Sequence, residues 1–346
     1  MRTWLGAQLP STADNGGRTT NSGASVSNFS RRQQKYVKQS YRVRNWPAYE
    51  AGLRARGSLT VWLAVTDGTL ANWDAMTPAK RRPGRQRKYT NHAIGTAVTL
   101  GLVFHLSSRA TEGFLRSLFA LLRFENDVPD HTTISRRKAT LAKVALGVRQ
   151  TSKPVHILID SSGLRVHVGR LRKPPQNRDY RKLHLAVDET SGEVVACDLT
   201  SKSAPDAARV PALVAQIDRP IASARADSAY DKNNVYQAIE THRSDRSPRV
   251  LIPPRKGAQL APQAAHTRQR NRTLRSQARL GKRKWHTKSG YSKRAKVETT
   301  FSRYKQIIGP AMRARRLVSQ RIEARIGCAI LNRMTALGMP DSAMIG

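Results

Sequence analysis

The sequence predicts a mixed α/β sheet domain preceded by a mostly helical region. Two observations carry that reading. Short apolar runs bounded by turn residues begin only after Lys153, and they alternate with helix-length stretches, the pattern of a layered α/β structure. Upstream of them, helix-starting residues such as Thr90 and Asp130 introduce stretches of helical length.

Taken in order, residues 1–30 are rich in Ser, Thr, Asn and Gly, and residues 31–44 are basic. Residues 1–40 therefore read as a disordered basic tail. Trp46, Tyr49, Leu53 and residues 59–63 suggest short helices or a strand. Residues 76–89 mix Pro78, Pro83 and Gly84 with six cations and read as a basic linker. Thr90 is placed to cap a helix running to about residue 105, and a second helix covers about residues 112–122. A third starts at Pro129-Asp130-His131-Thr132 and carries Arg136, Arg137 and Lys138. Three helices ending on a basic one suit a helix-turn-helix reader of DNA; a plain helical scaffold is the other reading. Residues 41–150 thus form the expected DNA-binding or multimerisation region.

The expected sheet occupies residues 151–340. Residues 155–159 form an apolar strand ending at Asp160. Residues 183–187 and 193–199 flank the turn Asp188-Glu189-Thr190-Ser191-Gly192 and read as a hairpin. Residues 205–217 look helical. Residues 222–226 form a strand leading into Asp227, Asp231 is placed to cap a helix to about residue 240, and residues 250–252 resemble a last strand. Residues 254–290 are polar and basic without periodicity, which suggests an inserted DNA-contacting segment or a loop. Helices follow from about residue 291 and over about 318–337.

Charge narrows the function. The 346 residues hold 62 Lys plus Arg against 23 Asp plus Glu, a formal +39. Such a chain repels itself unless it meets a polyanion. Nucleic acid is the leading partner, because neutralised phosphates release counterions; an anionic membrane is the rival. No apolar run is long enough to span a bilayer and no signal peptide is readable, which points to a cytoplasmic, nucleoid-associated protein. Cys197 and Cys328, far apart and each in an apolar stretch, read as buried free thiols rather than zinc ligands.

Between Asp245 and Glu323 the only acid is Glu298, among 22 Lys plus Arg over residues 246–322. An isolated carboxylate there is a salt-bridge partner or a metal ligand. The helix around it shifts the balance towards the metal ligand. Tyr291, Arg294, Glu298 and Lys305 fall within an arc of roughly 60° at about 100° per residue, with Val297, Phe301, Tyr304 and Ile308 on the neighbouring arc. Such a helix packs by one side and presents a polar line to a cleft. Asp160 and Asp227 both follow strands, where open sheets place ligands. Two such carboxylates with a third from a helix suit Mg²⁺, which takes oxygen ligands and keeps waters. A turn or helix cap is the structural alternative for each aspartate.

These residues carry a resemblance. The chain resembles the DDE transposases of bacterial insertion sequences, specifically the insertion-sequence-five family, from about Tyr41 to the C-terminus. Arg44-Asn45-Trp46-Pro47 with Arg56-Gly57-Ser58-Leu59-Thr60 is similar to its N-terminal block. Leu158-Ile159-Asp160-Ser161-Ser162-Gly163-Leu164 resembles the block of its first catalytic aspartate, with Ser162 where Thr is usual. Arg181-Lys182-Leu183-His184-Leu185-Ala186-Val187-Asp188 resembles the next strand, and Ala226-Asp227-Ser228-Ala229-Tyr230-Asp231 the second aspartate block. Tyr291, Arg294, Glu298 and Lys305 fit the family's Y-x2-R-x3-E-x6-K signature without a gap. Residues 169–180, with Pro174-Pro175, depart from the family pattern.

The resemblance implies a ribonuclease-H-like catalytic fold. It implies that Asp160, Asp227 and Glu298 bind two Mg²⁺ ions, with Mn²⁺ able to substitute, and that Tyr291, Arg294 and Lys305 position the element's terminal DNA. The implied reaction is hydrolysis that frees a 3′-hydroxyl, then attack of that hydroxyl on target DNA. A homodimer or higher multimer on double-stranded DNA would pair the ends. A transposase-derived protein that binds DNA without cutting is the alternative, and a basic RNA-binding protein is a third reading.

Overall fold

The computed structural model describes residues 40–63, 65–66, 69–70, 72–74, 87–141, 144–166, 179–243, 247–262 and 265–345. Residues 1–39 of the expected tail, most of the 76–89 linker and residues 169–178 lie outside the described residues, and the tail's last residue, Ser40, begins a strand. Ser40–Val43 (β1) leads into Trp46–Ala55 (α1), which has Pro47 in its first turn where a missing N–H does no harm, and then into Leu59–Trp62 (α2). Val65–Thr66 (β2) and Thr69–Leu70 (β3) make a small antiparallel ladder.

Three helices come next, and each starts where a side chain can accept from an otherwise unbonded backbone N–H. Thr90 Oγ1 accepts from Ala93 to begin Asn91–Val103 (α3). Ser107 Oγ accepts from Ala110 to begin Ser108–Leu122 (α4), four residues earlier than the sequence reading. Asp130 accepts from the Thr132 and Thr133 amides to begin His131–Lys138 (α5).

The strands are Val155–Val166 (β4), Tyr180–Asp188 (β5), Val194–Ser201 (β6), Ile221–Arg225 (β7), Arg249–Leu251 (β8) and Ala311–Met312 (β9). They form one six-stranded sheet in the order β6-β5-β4-β7-β8, with β9 also paired to β4. β4–β5 and β5–β6 are antiparallel, while β7 and β9 lie parallel to β4 and β8 lies parallel to β7. This is the ribonuclease-H-like mixed sheet. β4 does not stop at Asp160. Its ladder with β5 runs on to Leu164 opposite Arg181 and Arg165 opposite Tyr180, so Asp160 sits mid-strand.

Alternation along β4 feeds two cores. Val155, Ile157 and Ile159 join one, with Val210–Val214 (α6) and Asn233–Glu240 (α7). Leu158 and Leu164 join the other, where side chains of α3, α4 and α5 pack with those of two C-terminal helices. Asp231 does not cap α7, whose N-cap is Lys232. It is buried instead, paired with Arg270 at 2.9 Å and accepting from the Arg255 amide at 3.1 Å.

Residues 254–290 are not a loop throughout. Arg268–Ser289 forms α8, broken at Gly281 by φ 73°. Sequence periodicity misses it because polar groups fix its inner side. Gln269 accepts from Val250 N, Asn271 bonds the backbone of Ala261, and Trp285 is the one large apolar side chain buried there. Ala295–Ile307 (α9) and Leu317–Leu337 (α10) follow, and Ser342–Ile345 (β10) pairs with β1. Cys197 and Cys328 are buried and free, as expected.

Candidate active site

Strand register brings the two aspartates together. In the parallel β4–β7 pair, Leu158 lies opposite Arg225. Two residues further along each chain come Asp160 and Asp227, and Asp227 still has extended backbone (φ −78°, ψ 177°). Burial pushes the Asp160 carboxyl above its ordinary value. The Ser161 amide and Arg294 pull it down, and the Asp227 charge adds to the rise. Asp227 also starts a 3₁₀ turn, accepting from Ala229 N at 2.8 Å. The turn-cap reading therefore holds for this residue, which also stands within electrostatic reach of Asp160.

The period of two along β4 turns Leu158, Asp160, Ser162 and Leu164 to the side where α9 packs. Val297, Phe301, Tyr304 and Ile308 are buried there, so α9 is seated by the arc that the sequence assigned to packing. The adjoining polar line then meets β4. Arg294 Nη1 donates to Asp160 Oδ2 at 2.7 Å, and its Nη2 donates to Glu298 Oε1 at 2.6 Å. Lys305 Nζ donates to Ser162 Oγ at 2.7 Å. Tyr291 stacks beside His286 and Trp285, with ring centres 4.7 and 5.6 Å away. Burial opposes the Arg294 charge, but Asp160, Tyr291 and Glu298 together hold its pKa above the usual arginine value.

Asp160 and Glu298 are thus one guanidinium apart. Glu298 is the exposed member, at 58% against 16% for the Asp160 side chain. Among the described residues, no three His, Cys, Asp or Glu side chains stand close enough together to hold one ion; Arg294 occupies the ground between two of the carboxylates. The donor set nevertheless fits a divalent ion. It is all hard oxygen, it carries three negative charges, and one carboxylate is already partly desolvated.

Of the two cations expected at DNA on α5, Arg136 keeps an exposed guanidinium that, among the described residues, bonds only within its own helix, to Thr132. Arg137 is half-buried and ties α5 to the Tyr89 carbonyl and to Asn91.

One residue that supports the site escapes the sequence reading, which shows Glu189 only as part of a hairpin turn. Its carboxylate pairs with Arg225, two residues before Asp227, and with Lys293 at 2.8 Å, next to Arg294. Lys296 donates to its carbonyl at 3.0 Å. Glu189 thereby clamps the start of the α9 segment to the end of β7. Nothing in its local sequence announces this, because its partners lie 36 and more than 100 residues away in the chain.

Residues 151–333, more than half of the chain, match a family model described as "Transposase DDE domain", and residues 54–169 match a second model of the same description. The chain belongs to the DDE transposases. It is therefore an enzyme of the polynucleotidyl-transferase type, acting on DNA with divalent metal. No solved structure matches it. The larger match covers β4 to β9 and most of α10, so every candidate site residue from Asp160 to Lys305 of this transposase lies inside it. No helix among the described residues of the transposase is long and apolar enough to cross a membrane.

Proposed function

We propose that Asp160, Asp227 and Glu298 hold two Mg²⁺ ions, replaceable by Mn²⁺, and that the transposase cuts the ends of an insertion sequence of the insertion-sequence-five type. Water adds to the phosphorus and the 3′-oxygen leaves. That 3′-hydroxyl then attacks a phosphodiester of target DNA, whose own 3′-oxygen leaves. Ions held there would activate the attacking oxygen and stabilise the leaving one.

One observation carries the reading: a single guanidinium bonds both Asp160 and Glu298, residues 138 positions apart (298 − 160). Two carboxylates meeting at one cation form an electrostatic site that a metal ion can take over. For both to hold the same ion, Arg294 must leave at least one of them, and its freed guanidinium then suits a DNA phosphate. Exposed Glu298 can turn without disturbing the core. Lys305, which bonds Ser162, stands about 10 Å along the helix from Glu298 and would take a second phosphate. Tyr291 offers its ring and hydroxyl to the terminal nucleotide, and Arg136 a more distant phosphate. Pairing of two DNA ends requires a dimer or larger assembly.

The test is a nicking assay on duplex DNA carrying the element's ends, with Mg²⁺ or Mn²⁺, comparing wild type with Glu298→Gln. The reading expects a metal-dependent 3′-hydroxyl end from wild type only. A wild type that binds the duplex but never cuts it would favour the silent DNA-binding alternative.

A further inference from the structure

The outer face of α8 carries cations that the proposed reaction does not use. Arg268, Arg272, Arg275 and Arg279 recur at i, i+4, i+7 and i+11, so they lie within roughly 60° of one another on the helix. All four are exposed. Among the described residues, none of them has an ion-pair or hydrogen-bond partner. The opposite side of this part of the helix is committed to the body through Arg270 on Asp231 and buried Thr273. The row therefore cannot turn inward.

A row of like charges at i, i+3 and i, i+4 destabilises the helix that bears it. No acid between Asp245 and Glu298 offsets it. The arrangement makes physical sense against a polyanion. Along the axis the four guanidinium stems step by about 4.5–6 Å, while each DNA strand presents a charge every 3.4 Å of rise. Each arginine can meet its own phosphate. Beside the row run two depressions of about 780 and 360 Å³, and Arg249 and Arg272 line both. Beyond the Gly281 bend, Lys282, Arg283, Lys284 and Lys288 are exposed as well. That end of α8 reaches the site, where Trp285 stacks on Tyr291.

We infer that α8 is a second DNA-binding surface, whose arginine row grips the backbone of duplex DNA flanking the cut bond without reading its bases. The inference rests on the proposed function only for the position of the cut. Duplex held at Tyr291 and Arg294 continues past Trp285 onto the row.

The test uses the full chain and a duplex of unrelated sequence. Affinity is measured across salt concentrations for wild type, for the four-fold variant Arg268→Gln, Arg272→Gln, Arg275→Gln, Arg279→Gln, and for a charge-matched control at exposed cations outside α8 and outside residues 41–150, Lys153→Gln, Lys202→Gln, Arg243→Gln and Arg315→Gln. Each lost phosphate contact removes about 0.9 from the slope of log affinity against log salt. The row variant should lose about 3–4 from that slope. Between about 50 and 200 mM salt, wild type should then weaken roughly a hundredfold more than the row variant. The control should keep a slope near wild type. If the four-fold variant does not fold, Arg275→Gln with Arg279→Gln should remove about half as much slope. A row variant with the wild-type slope, or a control that falls equally far, overturns the inference. Metal-dependent cutting is scored separately with Glu298→Gln, so a chain that fails to cut still shows whether the row binds phosphate.

Discussion

Arg294 gives both of its terminal nitrogens to carboxylates that the proposed chemistry needs for metal. Charge-assisted bonds of this kind are each worth about 1.5–3 kcal/mol. The guanidinium would therefore compete with an ion proposed for Asp160 and Glu298. Arg294→Ala should tighten Mn²⁺ binding in the absence of DNA by about ten- to a hundredfold, while slowing cleavage because a phosphate loses its partner. Weaker Mn²⁺ binding in that variant would show that Arg294 helps to build the ion site rather than filling it. Asp160→Asn, Asp227→Asn and Glu298→Gln should each abolish cleavage and leave DNA affinity unchanged or raised, since each removes negative charge near phosphate. Gel-shift and nicking assays on the same preparations read both effects. The polar line of Tyr291, Arg294, Glu298 and Lys305 was legible from its spacing, although only Glu298 and Lys305 lie on α9, while Tyr291 and Arg294 stand on a 3₁₀ turn that leads into it. The Asp160–Arg294 contact was not, because no local pattern relates residues 134 positions apart.

Helix α9 delivers Glu298, and its seating depends on one close approach. A Cβ on Gly327 of α10 would stand 2.8 Å from the ring and hydroxyl of Tyr304, which is itself buried. Gly327→Val should displace Tyr304 and with it the face that carries Arg294 and Glu298. Overpacking of this kind costs about 1–3 kcal/mol. Urea denaturation should show that loss, together with reduced cleavage at temperatures where the variant is folded. Unchanged stability would mean that the two helices can part without consequence. β4 to β8, α3 to α5 and α10 were legible from apolar runs and capping residues, whose physics is local. The two-residue β9 was not, being too short to leave an apolar run, and two further features were missed. β4 runs past Asp160 because β5 offers it a ladder, and pairing partners are invisible in a single strand. α8 is held by Gln269, Asn271 and Arg270 bonding to distant groups, which leaves almost no apolar stripe to find.

At the scale of the whole molecule, a formal +39 surrounds a site built from acids. That combination would let the chain gather a polyanion while the three proposed carboxylates stay available to cations. DNA affinity should fall steeply with salt, and single changes among exposed cations should alter it little. Arg136→Ala should leave duplex affinity within about threefold of wild type, because many cations share the phosphate load. A loss of about tenfold in a filter-binding measurement would mark Arg136 as a dominant contact. The composition pointed to nucleic acid correctly, but it could not say where on the surface the DNA lies, since charge totals carry no geometry. The most direct measurement is a Mn²⁺ titration, followed by electron paramagnetic resonance, of the complexes that wild type, Asp160→Asn, Asp227→Asn and Glu298→Gln form with end DNA. The account predicts that each substitution weakens the tightest Mn²⁺ site of the wild-type complex by about tenfold or more. Wild-type Mn²⁺ affinity in any one of the three would contradict a shared metal site.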